Sequence, residues 1–125
     1  MRLPLILTIA AACLLHAYTW TFKAQDGWSL FTVCLFAFSL TPYAISAFMG
    51  RVWHALNAAL GFAAGALAGD IFMHYAVFIA PKGSTAALGL LFMPVWNLLL
   101  LGPLGAVIGW ACARAVTRRR GENAA

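Results

Sequence analysis

Charge is what this sequence has least of. Of its 125 residues, three are acidic and eight are Lys or Arg, so charged residues make up only 9%. A soluble domain of ordinary composition is about a quarter charged. This chain cannot coat a water-facing surface, and an ordinary soluble fold is excluded. Long polar stretches are also missing, so no soluble domain fits between the apolar runs. Cysteine is scarce: Cys13, Cys34 and Cys112 each fall inside an apolar run, with no C-x-x-C pair. Zinc-ribbon and thioredoxin-type motifs are therefore absent. No phosphate-cradling glycine loop and no nucleophile with a neighbouring base is present either. With loops too short for a water-exposed active site, an enzyme is not expected.

What is present is apolar length, with 64% of the residues hydrophobic. Four runs cover about residues 3–20, 28–49, 55–80 and 86–113. One membrane crossing needs about 20 apolar residues, so each run is long enough. The breaks are short and polar, "TFKAQDG", "GRVWH" and "PKGST", punctuated by Gly27, Gly50, Pro81 and Gly83. Short connections make neighbouring helices antiparallel. The expected fold is all-α: an integral membrane domain over residues 1–113, built as a four-transmembrane-helix up-down bundle. A basic cytoplasmic tail over 114–125 follows, and its end, "RRRGENAA", is expected to be mobile. The opening "LPLILTIAAAC" after Arg2 resembles a signal peptide. A cut near Ala12 would leave less than the usual 15–30 residues or so, and the run continues through Leu14 and Leu15, so it is read as a helix.

The fourth run is too long for a single straight crossing. Its roughly 28 residues would span about 42 Å, against about 30 Å of hydrocarbon. Pro94 and the Gly102–Pro103 pair are expected to kink it, freeing the carbonyls of Leu90 and Leu99.

The net charge of +5 sits where a membrane protein needs it. Arg114, Arg118, Arg119 and Arg120 crowd the C-terminus directly after an apolar run. That pattern marks a cytoplasmic helix end beside lipid headgroups, so the lipid bilayer is the expected partner and nucleic acid is not. With both termini inside, Arg2, Arg51 and the four C-terminal arginines are cytoplasmic and only Lys23 and Lys82 are outside. Tyr18, Trp20 and Trp28 then mark the outer interface, and Trp53 and Trp110 the inner one. The expected location is a cell membrane, in the first instance a bacterial inner membrane, crossed several times.

At about 100° per residue the third run sorts into three sides. Gly61, Gly65 and Gly69 form a small-residue seam that permits close helix approach. The contact across it is expected either within the bundle or between copies in a homo-oligomer. Leu60, Leu67, Ile71, Tyr75 and Phe78 form a bulky side expected to face lipid. Ala59, Ala63, Ala66, Asp70, His74 and Val77 form the third.

Asp70 is the residue a lipid-embedded helix does not need. An ionised carboxylate in hydrocarbon costs several kcal/mol unless it pairs, neutralises or meets water. Folding the last two runs about the "PKGST" turn sets Asp70 level with Asn97 and His74 level with Met93. The same reasoning on the first hairpin sets Cys13 level with Cys34. The expected polar layer contains Cys13, His16, Thr32, Cys34, Asp70, His74 and Asn97, with His74 the first charge partner for Asp70.

Intramembrane carboxylates with histidines are the usual parts of proton and ion relays. The leading expectation is therefore movement of protons, an ion or a small polar solute through a layer of Asp70, His74, Asn97 and His16, with no cofactor. The alternative is a non-catalytic scaffold or assembly subunit, in which the same residues only fix helix pairing. A second alternative is metal or haem binding, for which the one spacing signal is Cys13 and His16 sharing a helix face.

Overall fold

The apolar runs become helices, and the prolines decide where those helices are interrupted. The computed structural model describes residues 2–22, 29–53, 55–80 and 86–122. Helix α1 spans Arg2–Phe22, α2 Leu30–Ser39, α3 Thr41–Val52, α4 Leu56–Phe78 and α5 Ala86–Trp96. A π-helical turn, Asn97–Leu101, joins α5 to α6, which spans Gly102–Glu122. Four helical stretches are long and apolar enough to cross a membrane: Leu3–Phe22, Leu30–Val52, Leu56–Phe78 and Leu88–Glu122. The connections that carry Lys23, Asp26, Gly27, Trp28, Pro81, Lys82 and Gly83 lie outside the described residues.

Two of the expected helices differ in detail. The second run, read as one helix over 28–49, is divided at Leu40. Ser29 starts α2 with a reciprocal capping box to Thr32, which satisfies donors that a helix start leaves open. Pro42 then sits in the first turn of α3, the one helical position where a missing N–H does no harm. The fourth run passes Pro94 within α5, and the π-helical turn follows at the next Gly–Pro. There the N–H of Gly102 reaches the carbonyl of Asn97, five residues back. One extra residue in the turn lets the helix continue up to Pro103, which has no N–H to give.

The tail is a third difference. Residues 118–122, expected to be mobile, continue α6 as regular helix. Arginine and alanine are good helix formers, and basic residues in a last turn complement the helix dipole. Arg119 and Arg120 occupy that turn.

Helix α4 is the centre of the fold. Gly61 lies against the Gly105 carbonyl, Gly65 against that of Leu101, and Gly69 against the Asn97 and Met93 side chains. As one number rises by four the other falls by four, so α4 and the last helical stretch run antiparallel, in the register that levels Asp70 with Asn97. A Cβ at Gly61 or Gly65 would collide with backbone. The close contact along this seam is thus made within the chain.

The alanine side of α4 meets α1 and α3. Ala12, Ala59, Ala63 and Ala66 are fully buried, with Leu5 and Tyr43 in the same cluster. Leu5 and Ala59 both lie against Gly50, and His16 lies against Asp70. These two pairs have the same separation in sequence, so α1 and α4 run parallel. Of the bulky side of α4, Ile71 and Tyr75 are more than half exposed, whereas Leu60 and Leu67 pack against the core and Phe78 lines a cavity. The outer surface as a whole is apolar, with Leu30 81%, Leu99 75% and Phe22 74% exposed.

Candidate functional site

Asp70 is reached from every other apolar run. Tyr43 of α3 donates its hydroxyl to Oδ2. His16 of α1 meets the same oxygen from Nε2 at 3.0 Å. Asn97, the first residue of the π-helical turn, donates from Nδ2 to Oδ1 at 2.7 Å. The carboxylate is 2% exposed and Asn97 not at all. Tyr43 and Asn97 lie 27 residues to either side of Asp70, and His16 lies 54 before it. Each run therefore brings one polar residue to a single point.

His74 takes a different role from the expected one. It does not meet the Asp70 carboxylate. Its Nδ1 donates to the Asp70 backbone carbonyl one turn back, at 2.7 Å. A carbonyl only accepts, so Nδ1 carries the proton, and Nε2 of the neutral ring is left as an acceptor. That Nε2 is buried without a partner, as is Oδ1 of Asn97. The His16 and His74 rings stand edge to face with centroids 5.6 Å apart. The side chain that meets the Asp70 carboxylate is that of His16, not His74.

Of the expected layer, the fold brings together His16, Asp70, His74 and Asn97. Thr32 belongs to the cap of α2. Cys34 is exposed and Cys13 half-buried. Tyr43 was missed, and so was Ser46, which is fully buried and donates to the Tyr43 carbonyl at 2.8 Å. The regular spacing of residues 16, 43, 70 and 97 was the available signal for Tyr43. Among the described residues, no group of three or more His, Cys, Asp or Glu is arranged to hold a metal ion.

The layer divides the molecule in two. In the lower half, toward the N-termini of α1 and α4, the alanines and the glycine seam close the interior. In the upper half a cavity of about 280 Å³ reaches down to the layer. His16, Asp70 and His74 line its floor, and Ser39 and Pro94 stand beside them. Carboxylate, imidazole and phenol at one point can bind, hold or pass a proton. The neighbouring cavity lies against three of these residues, His16, Asp70 and His74.

No protein-family model, curated protein or solved structure matches the chain.

Proposed function

We propose that the chain crosses a cell membrane four times as an up-down bundle with both termini cytoplasmic, and that the Asp70 layer serves a pathway for protons, an ion or a small polar solute. Three findings support insertion: four helices of spanning length, an apolar outer surface, and polar side chains turned inward. An exposed apolar area of this extent is foreign to soluble monomers. The antiparallel α4–α6 pair and the parallel α1–α4 pair agree with up-down order.

One observation carries the transport reading. A buried carboxylate, joined to a residue from each other run, forms the floor of a cavity. An intramembrane ionisable residue in such a place is a functional site by default. The backbone adds support, since the second and fourth runs are both interrupted close to the layer, at Leu40 and at Asn97–Leu101. Paired interruptions in corresponding segments are a pointer to a solute site in transporters.

A scaffold or assembly subunit is the second reading, favoured by the satisfied state of Asp70. Three donors already meet it, which is what a device for fixing helix pairing requires. In that case a second copy of the chain would dock on a face other than the glycine seam, which α6 occupies.

Asp70→Asn separates the two readings. It keeps size and hydrogen bonding but cannot take up and release a proton. In proteoliposomes the variant is expected to stay folded and to lose proton or ion flux. Unchanged flux, or none from the wild type under any imposed gradient, would transfer the proposal to assembly.

A further inference from the structure

The upper cavity has walls and a floor of different chemistry. Its walls are mostly apolar and aromatic, with Trp20 and Phe36 stacked at a centroid distance of 5.0 Å beside Leu35 and Val77, and hydroxyls of Thr19, Thr32 and Ser39 are set among them. Its floor is His16, Asp70 and His74. Among the described residues, neither Lys nor Arg lines it. At about 280 Å³ it falls just below the usual range of ligand sites, about 300 to 1,000 Å³, which suits a small ligand.

Two acceptors at the floor have hydrogen-bonding capacity left open. Nε2 of His74 is a buried acceptor with no donor. Oδ1 of Asp70 receives only Asn97, although a carboxylate oxygen accepts two hydrogen bonds. An acceptor-rich floor with a carboxylate in it calls for a ligand that donates and carries positive charge. An apolar wall calls for a hydrocarbon body on the same molecule.

We infer that this cavity binds a small organic cation, a primary or secondary amine on an aromatic or branched aliphatic body. The ammonium sits toward Asp70 and His74, and the body lies against Trp20, Phe36 and Leu35. Anions are rejected by the carboxylate. Neutral analogues leave the His74 acceptor without a charge-assisted partner. This names the solute of the pathway proposed above. It rests on that reading for movement across the membrane, but not for binding.

The test uses full-length protein in detergent micelles, with 2-phenylethylamine as the probe. Its neutral and anionic counterparts, 2-phenylethanol and 3-phenylpropionate, serve as controls, as do empty micelles. Calorimetry is expected to show saturable one-to-one binding of the amine alone. Asp70→Asn should weaken it by about tenfold or more, the size of one hydrogen bond to a charged group. His74→Phe, which keeps the ring and removes the acceptor, should weaken it less. Leu35→Trp and Val77→Phe fill the cavity from two different helices without touching the floor. Each is expected to abolish binding while circular dichroism shows an intact helical melt.

Equal binding of all three probes would overturn the inference, as would amine binding that survives both filled variants. Amine binding without amine movement in proteoliposomes would uphold the site and remove the transport reading. Proton flux without amine binding would do the reverse.

Discussion

Replacing Asp70 by alanine strands three donors at once. Tyr43 Oη, His16 Nε2 and Asn97 Nδ2 all converge on its carboxylate, and all three residues are buried. A buried donor left without an acceptor costs about 1–3 kcal/mol. Three such donors come to about 3–9 kcal/mol, less wherever water enters from the cavity. Whole domains are stable by only about 5–15 kcal/mol. Asp70→Ala is therefore expected to lose most of the stability of the fold.

Asp70→Asn should behave quite differently, and the reason lies at Asn97. An amide oxygen in the place of Oδ2 still accepts from Tyr43 and His16. The new amide nitrogen would then confront Asn97 Nδ2, donor against donor. Asn97 has an answer available, because its own Oδ1 is buried without a partner. Turning the Asn97 amide by half a rotation puts that oxygen opposite the new donor and restores a bond. The three contacts lose their charge assistance, about 1 kcal/mol each. Against this, a neutral amide is cheaper to bury than a carboxylate by several kcal/mol. The two terms nearly cancel, and Asp70→Asn is expected within about 2 kcal/mol of wild type. Denaturant titration in detergent micelles, followed by helical circular dichroism, measures both variants. Equal damage in the two would refute the argument and make the charge itself, paired with His16, the structural element. A wild-type-like Asp70→Ala would show that the layer contributes nothing to folding.

Other expectations follow from the same geometry. Gly65→Leu should separate α4 from α6 at the Leu101 carbonyl and destabilise by at least the 1–3 kcal/mol or so typical of overpacking; an unchanged denaturation midpoint would contradict the seam. Tyr43→Phe removes one hydroxyl and leaves Oδ2 to His16 alone, so about 1–2 kcal/mol should be lost in the same assay. Single cysteines at Gln25 and Ser84, in a chain without its three native cysteines, should react with an impermeant thiol reagent from the outer face of the membrane only. Reaction confined to the cytoplasmic face would reverse the proposed orientation.

Much of this fold was legible because its signals are periodic or compositional. Four helices followed from the length of the apolar runs. The buried side of α4 followed from the spacing of Ala59, Ala63, Ala66 and Asp70. The meeting of Asp70 with Asn97 followed from hairpin arithmetic, which works when two helices share one short turn. Tyr43 lay outside that arithmetic, which in any case compares backbone heights and ignores side-chain direction. Side chains lean toward the N-terminus of their helix. Helix α3 runs opposite to α4, so Tyr43 leans up toward the layer while Asp70 leans down toward Tyr43. His16 was expected in the layer, and α1, packed parallel to α4, brings it to Asp70. The break at Leu40 was written in Pro42 and overlooked, because a proline inside a long apolar run is easily read as a tolerated kink. The π-helical turn had no comparable signal; Gly102–Pro103 announces an irregularity but not its form.

The two halves of the molecule set different limits on movement. Below the layer, α4 and α6 touch backbone to backbone at Gly61–Gly105 and Gly65–Leu101, and buried alanines close the remaining space. Such contacts have no long side chains that can swing aside, so opening this half means separating whole helices. Above the layer, the walls of the cavity are side chains of α1, α2, α4 and α5. Of these, α2 and α5 are the short pieces, each joined to the rest of its run through an irregular turn near Asp70. A rearrangement that bends at Leu40 and at the π-helical turn would reshape the cavity while leaving the glycine seam intact. Asn97 belongs to both parts, as the first residue of that turn and the partner of Asp70.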